Sequence, residues 1–190
     1  MDADESIQAR ETTLCFPLRG GGDGGSAEEG VDGEPDEVDD REALLIEKRR
    51  GLGEGWYNGP GGKLEPDETP RECAVRETRE EVGLEVDPGA LEKAGELTFV
   101  LDGAVHTRCH VFRTTSFSGQ PRPSPEADPV WIPVGEVPYD RMWEDDRHWL
   151  PGVLEGRTVI GAFRFEGGRP LDEAAFVDYD LEWGVSFDDE

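Results

Sequence analysis

The chain has 190 residues, enough for one domain with a sizeable core, and none of its apolar runs approaches the roughly 18 residues of a membrane-spanning helix. Its 45 acidic residues against 19 lysines and arginines give a formal charge of −26, so a primary role in binding nucleic acid is excluded by like-charge repulsion. The polar, acidic start lacks the basic and apolar regions of a secretory signal, and Cys15, Cys73 and Cys109 form no CxxC pair, so a cytoplasmic, monomeric protein with buried thiols is expected.

Only Lys48, Lys63 and Lys93 are lysines, and an acidic, lysine-poor chain of this kind resembles proteins of salt-in halophiles. High ionic strength screens the self-repulsion of so much charge. The unfolding midpoint is therefore expected to rise between low and multimolar KCl, and equal midpoints would count against a halophilic source.

Residues 1–11 are expected to be disordered, with one domain over 12–183 and an acidic tail over 184–190. Thr12 to Leu18 and Ala43 to Arg49 are apolar-rich and strand-like. Between them, residues 20–40 hold nine acidic residues, seven glycines and no basic or aromatic side chain, the composition of a solvated insertion in a hairpin loop. Past a glycine-rich loop, Thr69 is placed to cap a helix, with Pro70 at its first position, Glu72 reaching back three residues later and Gly83 as the stop. Lys93 to Leu101 and His106 to Thr114 alternate with period two around Asp102-Gly103, a hairpin signal. Pro121 to Pro129 reads as a loop leading into Val130-Trp131-Ile132. A helix is expected within Asp145 to Leu154, kinked or interrupted at Pro151, and two strands at Thr158 to Phe165 and Ala175 to Leu181. Several strands with two separated helices indicate the α+β class.

The helix after Thr69 carries the chemistry. Glu77, Glu80 and Glu81 fall on one face at helical spacing, opposite Ala74, Val75, Thr78 and Val82, so the carboxylate face is expected to look outward. Crowded like charges destabilise a bare helix, and a bound cation reverses that sign. Oxygen ligands of this type suit hard ions such as Mg²⁺, with Mn²⁺ as a substitute, and such ions also engage substrate phosphates. A solvated acidic face is the alternative reading of these residues alone.

The full string Gly62 to Leu84, GKLEPDETPRECAVRETREEVGL, resembles the signature of the Nudix hydrolases, with Gly62, Glu68, Arg76, Glu77, Glu80, Glu81, Gly83 and Leu84 in place. Only Thr78 departs from it, standing where an apolar residue is expected; its hydroxyl is expected to bond back to the preceding turn. From about Thr12 to Leu181 the chain is similar to the oxidised purine nucleoside triphosphatases of that family. Lys48-Arg49-Arg50-Gly51-Leu52-Gly53, Trp56 to Lys63, and Met142-Trp143-Glu144-Asp145-Asp146 with Trp149 carry this likeness.

The resemblance implies an α/β/α sandwich with a mixed sheet between helices. It implies attack by a metal-activated water on a nucleotide phosphorus, releasing a nucleoside monophosphate and pyrophosphate. Glu77, Glu80 and Glu81 are then catalytic metal ligands, joined by the Gly61 carbonyl and Glu126, and either Glu80 or Glu81 orients or deprotonates the water. Gly62 and Lys63 meet phosphate, while Arg76 orients a glutamate. Thr13, Lys48, Asn58, Phe99, Trp143, Asp145 and Asp146 surround the base, Trp143 as the stacking surface, and one of the two aspartates is protonated. Leu52 and Leu101 stand where the likened enzymes have aromatics. Another nucleotide substrate of the same chemistry, such as a canonical nucleotide, ADP-ribose or an N6-methylated purine nucleotide, and a catalytically silent nucleotide sensor remain the competing functions.

Overall fold

The computed structural model describes residues 9–21, 39–51, 53–167 and 173–187. Apart from its flanks, the acidic insertion over 20–40 lies outside the described residues, as do Leu52 and residues 1–8 and 188–190. No helix among the described residues is long and apolar enough to cross a membrane.

Strand β1 (Arg10–Arg19) and strand β2 (Glu42–Lys48) flank the insertion. In β2 the run Ala43 to Ile46 is entirely buried, because both faces of the strand are covered. Ala43 and Leu45 pack in a cluster with Trp149, Leu150, Val153 and Leu154, whereas Leu44 and Ile46 pack with Val82 and Leu84. Helix α1 (Pro70–Val82) and helix α2 (Asp146–Leu154) thus lie on opposite faces of the sheet.

The remaining strands are β3 (Tyr57–Asn58), β4 (Glu85–Val86), β5 (Glu92–Leu101), β6 (Ala104–Thr114), β7 (Phe117–Ser118), β8 (Ala127–Pro133), β9 (Val159–Glu166) and β10 (Ala175–Trp183). The main sheet runs β10-β9-β5-β6-β1-β2-β3, with β8 also pairing β2. The β1–β6 and β5–β9 pairs are parallel and the others antiparallel, so the sheet is mixed, as the α+β class and the sandwich require. The β5–β6 hairpin closes on Asp102 and Gly103, both with positive φ (50° and 80°), the geometry that an Asp-Gly turn adopts.

One departure from a simple hairpin creates the site. β1 pairs with β6 from Arg10 to Pro17, but with β2 only at Leu18–Ala43 and Arg19–Glu42. The two strands splay apart from that end, and the glycine loop enters the wedge, where Thr13 N–H donates to the Gly62 carbonyl (2.8 Å) and Cys15 N–H to that of Pro60 (2.8 Å). Approach this close requires glycine: a Cβ at Gly61 would stand 2.0 Å from the Thr13 carbonyl oxygen, and one at Gly59 2.8 Å from the Phe16 ring.

Several boundaries differ from the sequence expectation. β1 begins at Arg10 rather than Thr12. β8 begins at Ala127, inside the segment expected to be a loop; among the described residues it pairs only with β2, and an edge strand tolerates Pro129 and Pro133. α2 is not interrupted at Pro151. The proline lacks one donor, and the helix continues to Leu154, where the capping residue Glu155 donates its N–H to the Pro151 carbonyl (3.0 Å). At the C-terminal end, Gly184 N–H bonds the Thr158 carbonyl (2.9 Å) and Thr158 Oγ1 donates to that of Val185 (2.6 Å). Cys15, Cys73 and Cys109 are free, buried thiols.

Candidate active site

Helix α1 is held at both ends. Thr69 Oγ1 accepts from Glu72 N–H (3.3 Å), the Glu72 carboxylate accepts from Thr69 N–H (2.9 Å), and Gly83 closes the helix at φ 73°. Thr78 is buried, and its hydroxyl donates to the Ala74 carbonyl (2.7 Å), which removes the cost of a polar group in that apolar position.

The carboxylate face does not simply look outward. Glu81 is only 5% exposed and accepts from Gly61 N–H (2.8 Å). Its burial pushes the carboxyl up to about 7, against the opposing pull of that hydrogen bond and of Lys48. Glu77 is half-buried and also raised by burial, and a Cβ on Gly62 would meet its carboxylate at 2.3 Å. Glu80 is the more exposed of the three. Arg76 ties the set together, bonding Glu68 through Nε and Nη2 (2.7 and 2.8 Å), Glu77 (2.8 Å) and Glu80 (3.3 Å). Its guanidinium holds Glu68 down to about 2 and is itself pushed up by these partners.

Glu126, at the mouth of β8, faces the same crevice of about 220 Å³ as Glu77, Glu80 and Glu81, opposite Arg50. Among the described residues no three of these carboxylates already converge as an ion would require. Arg76 bonds Glu77 and Glu80, Arg50 bonds Glu126, and Gly61 N–H bonds Glu81. The donor set is nevertheless all oxygen and strongly negative, which fits a hard divalent cation. The Pro60 and Gly62 carbonyls are bonded to β1, and the Gly61 carbonyl lies between them.

A cleft of about 240 Å³ opens beside the glycine loop and contains Thr13, Lys48, Asn58, Gly61, Gly62, Lys63, Phe99, Trp143, Asp145 and Asp146. Residues that the sequence spreads over more than 130 positions are brought together there by the splayed strands. Asn58 Oδ1 accepts from Gly59 N–H (2.8 Å), so its NH₂ is the group turned to other partners. The Thr13 hydroxyl is committed to Cys73 Sγ (3.3 Å) on the α1 side. Trp143 meets Trp56 edge to face with ring centroids 5.0 Å apart.

Asp145 and Asp146 are each 3% exposed, at the N-terminus of α2. Asp145 makes no side-chain cap; its Oδ2 accepts from Trp149 Nε1 (3.3 Å), and Asp146 Oδ2 accepts from Trp143 N–H (3.0 Å). Burial is the main cause that pushes Asp145 up to about 6, and burial plus the neighbouring Asp145 raise Asp146 well above the usual carboxylate range.

Leu101 belongs to the core and does not line the cleft. Its parallel-pair partner Phe165 does, 6.4 Å from Phe99 and in the same aromatic group as Phe163. No local sequence signal points to Phe165, because its arrival depends on the β5–β9 register.

A family model described as the NUDIX domain matches residues 37–153. An oxidized purine nucleoside triphosphate hydrolase of Danio rerio is 39% identical over 125 residues, covering 65% of this chain and 79% of that protein. One of Mus musculus is 35% identical over 145 residues, covering 76% and 88%. In fold, a crystal structure of a MutT mutator protein from Bacillus halodurans is similar with a TM-score of 0.64 at 24% identity, over 91% of this chain and 97% of that one.

Proposed function

The chain belongs to the Nudix family of hydrolases, and from that premise we propose that it cleaves oxidised purine nucleoside triphosphates, 8-oxo-dGTP and 2-hydroxy-dATP, to the monophosphate and pyrophosphate, with Mg²⁺ or Mn²⁺. The observation that carries this reading is the pair of buried, protonation-prone carboxyls, Asp145 and Asp146, standing with Trp143 and Asn58 in a cleft that adjoins the carboxylate helix.

When bound, the divalent cation supplies charge neutralisation for the phosphates and lowers the pKa of an attacking water. Glu77, Glu80, Glu81 and Glu126 would hold it, with the Gly61 carbonyl as a further oxygen ligand. Glu80 or Glu81 would orient or deprotonate the water. Arg76 fixes the angle of Glu77 and Glu80 through the contacts described above. Lys63 pairs with phosphate oxygens, and the glycine loop lets the chain of phosphates approach the backbone.

At the base end, a purine stacks on Trp143 between the Phe99 and Phe165 side and the Asn58 amide. A neutral carboxyl donates to a base oxygen where an ionised one only accepts, so a pair with separated protonation gives edges of both kinds. Burial raises both carboxyls, and the charge of Asp145 raises Asp146 further, which supports such a separation.

The test is a comparison of kcat/KM for 8-oxo-dGTP, 2-hydroxy-dATP, the four ordinary dNTPs and ADP-ribose, with Mg²⁺ in high KCl. An oxidised purine is expected to be preferred over dGTP by at least about tenfold, the discrimination of one well-placed polar contact. Faster cleavage of an ordinary dNTP or of ADP-ribose would keep the Nudix chemistry and discard the roles of Trp143, Asp145 and Asp146. No cleavage of any would favour a sensing module.

A further inference from the structure

Two arginines address the carboxylates, and they are built differently. Arg76 is largely buried, 18% exposed at its side chain, and is fixed by three glutamates. Arg50 is 62% exposed and bonds one carboxylate, Glu126, itself 53% exposed. Among the described residues lining the crevice of Glu77, Glu80, Glu81 and Glu126, it is the one basic side chain.

The backbone beside Arg50 is anchored while its side chain is not. Arg49 makes a two-pronged pair with Asp128 (2.5 Å from both Nε and Nη2), and Arg49 N–H donates to the Glu126 carbonyl (2.9 Å). Arg50 is thereby held next to Glu126, and Gly51 follows at φ 77°. An exposed ion pair of this kind contributes little net stability, so it exchanges cheaply. A guanidinium also matches the planar, two-oxygen geometry of phosphate.

We propose that Arg50 is a latch on the metal crevice: it holds the Glu126 carboxylate in the metal-free enzyme, and is released to bind the substrate's phosphates when Glu126 joins the cation. The inference rests on the metal-site reading above and adds a catalytic residue that reading leaves unused. The exchange follows from charge. A divalent cation beside Glu126 repels the guanidinium, and the phosphate chain offers it a new anionic partner. Arg50 thus competes with the ion before substrate arrives and assists it afterwards.

The opposed signs make the test specific. In the full-length protein, Arg50→Ala is expected to tighten Mn²⁺ binding without nucleotide by roughly twofold to fivefold, the range that an exposed pair can oppose, read from the free-ion EPR signal. The same variant should raise KM for 8-oxo-dGTP at saturating Mg²⁺, with Arg50→Lys restoring part of both effects. In a Glu126→Gln background, Arg50→Ala should no longer change Mn²⁺ affinity. Mn²⁺ affinity that is unchanged or weaker in Arg50→Ala, or a KM that does not rise, would overturn the latch while leaving the metal site standing. A wild-type protein that binds no Mn²⁺ would instead overturn the metal site and the latch with it.

Discussion

Glu81→Gln lowers turnover by at least about 10²-fold at saturating metal, the scale on which loss of a single charge-stabilising group is felt, while the protein stays folded. The geometry separates the two outcomes. Glu81 is buried against the glycine loop, and a Gln oxygen can still accept from Gly61 N–H, so the loop keeps its anchor. What is lost is the negative charge that faces the crevice shared with Glu77, Glu80 and Glu126. Burying a neutral amide costs less than burying a carboxylate, so the melting temperature should not fall. Steady-state kinetics alongside thermal unfolding reads both. Activity close to that of the wild type would remove Glu81 from the site, and a collapsed melting transition would make its role structural.

The second large effect belongs to the base cleft. Asp145→Asn replaces a carboxyl that can donate or accept with an amide of fixed character, so discrimination between 8-oxo-dGTP and 2-hydroxy-dATP should change by about 10- to 100-fold, the cost of one buried polar mismatch. Equal loss on every nucleotide would reduce Asp145 to a support for Trp149, whose Nε1 it accepts. Stability should respond to pH as well. The folded-state value is raised, to about 6 from 3.8, so Asp145 releases its proton later in the folded protein than in the unfolded chain. The stability it contributes is full below the unfolded value and is lost as pH rises through about 6. Asp146 is raised in the same direction. The gain in melting temperature from Asp145→Asn should therefore be larger at pH 8 than at pH 4, and a pH-independent difference would contradict the assignment.

Much of this site is legible in the chain because its signals are local. The capping box of Thr69 and Glu72, the stop at Gly83 and the Asp102-Gly103 turn depend on neighbours within a few residues, and each stands where its residue types require. The three-and-four spacing of Glu77, Glu80 and Glu81 likewise fixes a shared face. What local pattern does not carry is how deep that face sits. Glu81 is buried because β1 and β2 splay and admit the glycine loop, which is a matter of long-range register. Prolines mislead for a related reason. The prolines up to Pro129 suggest a loop until the edge position of β8 is known, and Pro151 suggests a break until the helix around it is packed. Phe165 and Arg50 come into view only when β9 lies beside β5 and the Arg49 loop beside β8.

The central claim joins a divalent-cation centre to attack on the nucleotide's phosphate chain, and ³¹P NMR of the products from 8-oxo-dGTP tests it most directly. With Mg²⁺ in high KCl, the phosphorus signals should resolve into a nucleoside monophosphate and pyrophosphate, with no turnover after chelation. Orthophosphate with a nucleoside diphosphate, or products that form equally well without the metal, would contradict the account.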